Sequence, residues 1–230
     1  MQFRRIPNFL ALASIKLIAQ LFYKVEITWL HKHSDDPWKD LKVITLLNHT
    51  SLFEPLLLGG APWRMIWRIS GRIIAPGADV TMGRPVAGWF LKFIMPKMVP
   101  ISRERDDTWN NFLAAIEPES VVIIAPEGRM RRANGMDKNG DPMSVRGGVA
   151  DILEMLPTGE MVIVYSGGLH HVQVPGQGLP KLFKRIQMNC EKLNIPTYVS
   201  HMKALRDTKY RKAMVADLEE RMERNIPIRN

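Results

Sequence analysis

Among the residues able to do chemistry, a histidine and a carboxylate five positions apart stand out first. They are His49 and Glu54, in the segment Asn48-His49-Thr50-Ser51-Leu52-Phe53-Glu54-Pro55. The pair straddles the end of a strand-like run and an expected helix start. A carboxylate that accepts from one imidazole nitrogen fixes the tautomer and raises the basicity of the other nitrogen. That is what a base needs to take a proton from an alcohol. The spacing by itself reads more readily as a loop residue and a cap, so the weight rests on what accompanies it.

Three further loops accompany it, each directly after a strand-like run. Val99-Pro100-Ile101-Ser102-Arg103, with Arg105 close behind, is the first. Ala125-Pro126-Glu127-Gly128-Arg129-Met130-Arg131-Arg132 is a glycine-bearing turn full of guanidinium groups. Ser144-Val145-Arg146-Gly147-Gly148 leads into a helix whose N-terminus favours an anion. Arginine forks match phosphate oxygens in bidentate fashion, so these loops suit a phosphorylated ligand. Singly, each reads as a solvated basic loop; their joint order behind His49 and Glu54 is the signal.

The elements that must position these loops alternate between strand and helix. Val25 to Leu30 and Lys42 to Leu47 read as strands, with a turn at Asp35-Asp36-Pro37 between them. Arg64 to Ser70 reads as a third strand. Pro85 to Met98 is apolar and helical, and its Gly88 region is a candidate acyl-site lining. Val99 to Ser102 follows as extended chain. Asp106 or Asp107 caps a helix running to Ile116, with Trp109, Phe112, Leu113 and Ile116 on one face. Ser120 to Ala125 and Met161 to Ser166 have the composition of fully buried strands. Gly148 to Leu156 is a short helix and Ile186 to Cys190 a weaker strand. Leu205 to Arg224 is helical, its Tyr210, Met214, Leu218 and Met222 recurring every fourth residue. Such alternation implies an α/β layer fold around a central sheet, with the chemistry in loops just beyond strand ends.

The first thirty residues bear on membranes. Arg4 and Arg5 precede Pro7 and an apolar run from Phe9 to Tyr23 interrupted by Lys16 and Gln20. Fifteen helical residues cover roughly 22 Å, short of the ~30 Å hydrocarbon core, and Lys16 sits where a spanning helix least tolerates charge. An interfacial helix lying among headgroups is the preferred reading. A docked core helix is a second, and a signal peptide lacks a small-x-small site after Tyr23. Residues 1–30 are thus expected to form a membrane-interface helix and lead-in, and residues 31–230 a single α/β domain.

The 230 residues carry a net charge of +9, from 32 basic and 23 acidic side chains, which draws the chain to polyanions. Basic residues are interleaved with aromatics, as in Trp63-Arg64-Met65-Ile66-Trp67-Arg68, which favours an anionic lipid surface over nucleic acid. The single cysteine, Cys190, excludes an internal disulfide framework and a zinc site built on several cysteines, and fits a reducing compartment. It reads as a packed side chain. His31 with His33, and His170 with His171, lack a carboxylate at ligand spacing, so no metal is expected.

In this order the four loops resemble the glycerolipid acyltransferase family, whose best-known members acylate lysophosphatidic acid. Its Asn-His-x-x-x-x-Asp motif is matched by Asn48, His49 and Glu54, with glutamate for aspartate. Its Ile-x-Arg is matched by Ile101 and Arg103. Its Pro-Glu-Gly-Thr-Arg-Ser is matched by Pro126, Glu127 and Gly128, with Arg129-Met130 replacing Thr-Arg. Arg146 and Gly147 echo a later Lys/Arg-x-Gly, and the proline of the fourth motif is absent from Val162-Ile163-Val164-Tyr165-Ser166. The resemblance spans residues 40 to 170 and implies a mixed sheet flanked by helices, with a membrane-associated amphipathic helix ahead of it. It implies His49 and Glu54 as the catalytic dyad, and Arg103, Glu127 and Gly128 as acceptor-binding, with Arg146 and Gly147. Arg129 and Arg131 are both candidates for the family's arginine. It further implies an acyl-CoA or acyl-carrier protein donor, a lysophospholipid acceptor, no other cofactor, and residence on the cytoplasmic face of a membrane, peripheral or monotopic. A different lysolipid acceptor and a non-catalytic lipid-binding relative are the alternatives.

Overall fold

The computed structural model describes residues 2–33, 35–78, 82–83, 85–95, 97–102, 106–174, 179–205 and 209–228. Its sheet is built from runs of β-branched residues that have apolar neighbours on both faces. The strands are β1 (Lys24–Trp29), β2 (Leu41–Leu47), β3 (Ile73–Ala78), β4 (Lys97–Ile101), β5 (Val121–Ile124), β6 (Glu160–Ser166) and β7 (Arg185–Asn194). They lie in the order β1-β7-β6-β2-β5-β3-β4. The five strands from β6 to β4 are parallel. β7 runs antiparallel to β6, and β1 runs parallel to β7. Parallel strands end at the same edge, so the loops after β2, β4, β5 and β6 are gathered there. The expected mixed sheet flanked by helices is therefore present.

Alternate side chains feed two cores. Ile44, Val121, Val162 and Val164 face one side with α1 (Gln2–Phe22), a 3-10 helix (Glu54–Gly60), α2 (Trp63–Ile69) and α3 (Pro85–Ile94). Val43, Val122, Ile124, Met161, Ile163 and Tyr165 face the other. There they meet α4 (Thr108–Ala114), α5 (Gly148–Glu154), α6 (Ile195–Ala204) and α7 (Tyr210–Asn225). A sheet covered on both faces is the usual setting of parallel strands.

Several sequence expectations need correction, among them the helix expected over Pro85 to Met98, which ends at Ile94 with Lys97 and Met98 already in β4. Arg64 to Ser70 is not a strand: Trp63–Ile69 is helical, burying Met65, Ile66 and Ile69 while Trp63 and Trp67 stay exposed. Those spacings are helical, and with only two turns the period was masked by the β-forming composition. The third strand is instead Ile73–Ala78, hidden by Pro76 and Gly77. Pro76 is tolerated because pairing with β5 involves only Ile73 and Ile74, so its missing N–H breaks no rung on that side. The weak strand at Ile186 to Cys190 is also longer, ending at Asn194. The Asn194 side chain accepts from the Thr197 N–H at 3.2 Å and caps α6, a helix absent from the sequence reading.

The N-terminal helix is longer than expected, at 21 residues. Its Leu12, Ile15 and Ala19 are buried in the same core as the sheet, while Ile6, Leu10, Leu17 and Leu21 are exposed. At 100° per residue these four exposed positions fall within about 60° of arc, so the helix is docked on one side and carries an apolar stripe on the other.

Phe112 anchors α4 to the sheet and is wholly inaccessible. Phe112→Ala is expected to cost about 3–5 kcal/mol in stability. Urea unfolding with an unchanged m-value would report it.

Candidate active site

β2 ends at Leu47, and Asn48 turns the chain with φ of 62°, in the left-handed region that asparagine tolerates better than most side chains. The Asn48 side chain donates to the Ser166 carbonyl at the end of β6, at 2.8 Å. This turn delivers His49 to the sheet edge. His49 Nδ1 is hydrogen-bonded to Glu54 Oε2. Glu54 opens the 3-10 helix with Pro55 behind it, and its other oxygen accepts the Thr50 N–H at 2.7 Å. Among the described residues no hydrogen bond engages His49 Nε2, so that nitrogen is left for an incoming group.

The loop after β5 grips the same residue from the other side. Glu127, 1% exposed, accepts the His49 N–H at 2.8 Å. Its second oxygen accepts from Arg131 Nη2 at 3.2 Å, and the Arg131 N–H donates to the His49 carbonyl at 2.7 Å. Both backbone polar groups of His49 are thereby fixed by one short loop. Gly128 provides the bend, with φ of 67° and its N–H bonded to the Ala125 carbonyl at 3.0 Å. His170, just past β6, bonds the Arg131 carbonyl through Nε2 at 2.7 Å. This contact gives the strand-end histidine a supporting place that no spacing in the sequence signals.

Electrostatics follow the geometry. Burial alone would push the His49 imidazole down. The charge and hydrogen bond of Glu54 outweigh it, aided by Glu127, and the net shift is upward from the ordinary histidine value. Burial pushes the Glu127 carboxyl up, against the opposing pull of the His49 N–H and the Arg131 guanidinium.

The cationic residues fall into two groups. Arg131 is occupied by Glu127, and Arg129 by Asp137, with Asp141 at 3.2 Å. Asp137 is itself buried, its Oδ1 accepting the Asn139 and Asp141 N–H groups at 2.7 and 3.0 Å. Arg132, Lys138 and Arg146 have no ion pair among the described residues and line the same cavity as His49. Arg146 lies against Gly128, where an added Cβ would meet its Cδ at 3.5 Å. At Gly147 a Cβ would come within 3.0 Å of Arg211 Nε. Arg103 lies outside the described residues.

The cavity has a volume of about 480 Å³. His49 and Glu54 stand in its wall with Ser51, Arg129, Arg132, Lys138 and Arg146, and most of the rest is apolar, including Leu12, Ile73, Leu91, Met95 and Met188. An imidazole base and several cations therefore border a largely apolar volume, the layout needed for a molecule with a charged head and a hydrocarbon body. Gly88 is not interchangeable with a larger residue, since an added Cβ would sit 2.1 Å from the Met82 carbonyl oxygen.

The remaining titratable candidates are accounted for elsewhere. His31 lies 3.7 Å from Glu191, and His171 bonds the Arg185 carbonyl at 2.6 Å. Among the described residues no group of three possible metal ligands occurs. Cys190 is buried, and burial pushes its thiol up to about 12.

Residues 15–169 match the family model described as Acyltransferase. The chain belongs to the acyltransferase family. The model spans all four loops, including the His49 and Glu54 loop and the Glu127–Arg131 loop. No curated protein matches the sequence. Among solved structures, the chain is similar to the crystal structure of the 1-acyl-sn-glycerophosphate (LPA) acyltransferase PlsC from Thermotoga maritima. The TM-score is 0.53 at 18% identity, covering 94% of this chain and 81% of that one. That likeness is one of fold, reached through a distant sequence.

Removing the Glu54 charge removes the main force that favours the imidazolium. Glu54→Gln should therefore move the His49 titration to lower pH, read from the imidazole resonances by NMR. The sign for stability follows: with a raised native value, the histidine's contribution is full below the unfolded value and is lost as pH rises through the native one. In Glu54→Gln that pH dependence should flatten.

Proposed function

We propose that this acyltransferase moves a fatty acyl group from a thioester, acyl-CoA or acyl-carrier protein, to the hydroxyl of a lysophosphatidic acid-like acceptor at a membrane surface. The observation that carries the reading is His49, bonded through Nδ1 to buried Glu54 and standing with Nε2 unengaged in the wall of an apolar cavity rimmed by unpaired cations. The family membership supports the reaction class, and the LPA acyltransferase fold makes a phosphorylated lysolipid the first acceptor to test.

In this mechanism His49 Nε2 takes the proton from the acceptor hydroxyl as its oxygen bonds to the thioester carbonyl. Glu54 holds the ring tautomer and balances the imidazolium that forms. The tetrahedral intermediate then collapses, the carbon–sulfur bond breaks, and the Nε2 proton leaves with the thiol. The sum is an ester and a free thiol. General-base assistance is worth about 100- to 10,000-fold, and holding both reactants in place contributes further. Arg132, Lys138 and Arg146 would meet the acceptor phosphate, together with Arg103. Arg129 and Arg131 keep the loops around it in shape, so their part in acceptor binding is indirect.

The membrane side of the reading rests on α1. Its window Arg5–Phe22 has mean hydropathy 1.2 and passes for a membrane span by length and composition, yet 39% of it is buried against the protein. A monotopic helix with its free stripe among lipid chains fits both facts. Exposed Trp63 and Trp67 lie beside it, Phe9 stacking edge-on to Trp67 at 5.1 Å and the Arg5 guanidinium lying 4.2 Å above that ring. Tryptophan beside arginine suits the headgroup layer of an anionic cytoplasmic leaflet.

Two measurements test this reading. Thiol release from acyl-CoA should depend on added lysophosphatidic acid and fall by about 100-fold or more in His49→Ala. Release indifferent to the mutation would sink the base assignment. Sedimentation with anionic vesicles should be lost in the double variant Leu17→Glu, Leu21→Glu, with circular dichroism unchanged. Retention of binding would remove α1 as the anchor.

A further inference from the structure

A lysine in an apolar helix that lies on a membrane ordinarily runs its stem outward so the ammonium reaches water. Lys16 does the opposite. It is 3% exposed and points into the protein, where Nζ donates to the Gly59 carbonyl at 3.0 Å and the Ala61 carbonyl at 2.7 Å. Those carbonyls close the 3-10 helix Glu54–Gly60, whose last acceptors have no partner within the helix. The Trp63 ring lies 5.2 Å from the ammonium, and no carboxylate among the described residues pairs with it. Burial lowers its pKa. An unpaired ammonium in a core is costly, and a methionine would fill the same space without that cost.

What the arrangement achieves is visible in the helix it caps. The seven residues from Glu54 to Gly60 are roughly 14 Å long at 3-10 rise. At the near end Glu54 holds His49 and the Thr50 N–H. At the far end Lys16 holds two carbonyls, and Gln20 Nε2 adds a third contact, to Gly59 at 3.2 Å. Between the ends there is no slack: an added Cβ at Gly59 would meet Ala19 Cβ and Val25 Cγ2 at 2.8 Å each. Leu57 and Leu58 of the same helix line the cavity. A basic group at a helix C-terminus is also favoured by the helix dipole, which accounts for its chemistry but not for its origin on α1.

We propose that Lys16 is a positioning residue for the His49–Glu54 pair, holding from the N-terminal helix the far end of the short helix that Glu54 begins. The proposal rests on the base assignment above for its effect on turnover, but not for its effect on the imidazole. The charges acting on His49 are Glu54 and Glu127, with Arg131 behind Glu127, while Arg129, Arg132, Lys138 and Arg146 share the cavity wall with it; Lys16 is bonded to none of them. Its influence is transmitted through the position of the Glu54 carboxylate.

The test compares full-length Lys16→Met with Ile15→Ala, a buried neighbour on the same helix that does not line the cavity. Lys16→Met should lower kcat by about tenfold or more with KM within about twofold, since a displaced catalytic group costs rate more than binding. The acid limb of its pH profile and the NMR titration of His49 should both move to lower pH, as the Glu54 contact loosens. Ile15→Ala should lose comparable thermal stability with kcat and titration unchanged. Should Lys16→Met fail to fold, Gln20→Ala removes the third contact and should shift the titration the same way by less. Wild-type titration in Lys16→Met, or in Gln20→Ala if that variant stands in, overturns the proposal. So does a loss of kcat that merely tracks stability across Lys16→Met and Ile15→Ala. Wild-type protein without turnover would instead defeat the reaction assignment, and the imidazole titration would still decide the role of Lys16.

Discussion

The site depends on a carboxylate kept out of water. Glu54 is 6% exposed, and a charged group so buried is stable only if its oxygens are matched. One oxygen meets the His49 ring and the other the Thr50 N–H. These two contacts dictate where the 3-10 helix starts, which nitrogen of the imidazole faces the cavity, and how the chain must turn between them. The left-handed Asn48 and its bond to the end of β6 are part of the same demand. So is the second buried carboxylate, Glu127, which locks the backbone of His49 as Glu54 locks its ring.

Parallel strands make this convergence possible. Segments far apart in sequence, around residues 49, 127 and 170, meet because β2, β5 and β6 all end at one edge of the sheet. The two cores then divide the labour. One face packs α1, the 3-10 helix and α2 around the apolar cavity, and the other packs α4 to α7 and carries the more extended ionic contacts, such as Arg221 with Glu191 and Asp217. Among the described residues, the half that carries α1 is thus largely free of buried ion pairs beyond the site itself.

Much of this was legible in the residues, for reasons that differ by element. Strands β2, β5 and β6 are β-branched runs buried on both faces, so composition alone marks them. The His49 and Glu54 pairing was legible because one loop carries both groups. Trp63–Ile69 is hard to read because a two-turn helix offers only one repeat of its period, and β3 is hidden because Pro76 and Gly77 have turn composition although both are paired with β4. The sequence reading left Arg129 and Arg131 as equal candidates for a substrate anion. Their partners, Asp137 and Glu127, are set by how the chain folds back on itself, which spacing does not reveal. In the sequence Lys16 argues against a spanning helix, and its inward contacts with Gly59 and Ala61 emerge only when α1 is docked.

The loop from Arg129 to Arg146 also has a consequence of its own. Asp137, Asn139 and Asp141 alternate with other residues in the manner of loops that wrap a dissolved cation. Here the guanidinium of Arg129 stands among those carboxylates, tethered to the chain it neutralises. The loop thus carries its counter-ion with it, covalently fixed eight residues from the carboxylate it neutralises, so charge balance in this wall of the cavity travels with the chain.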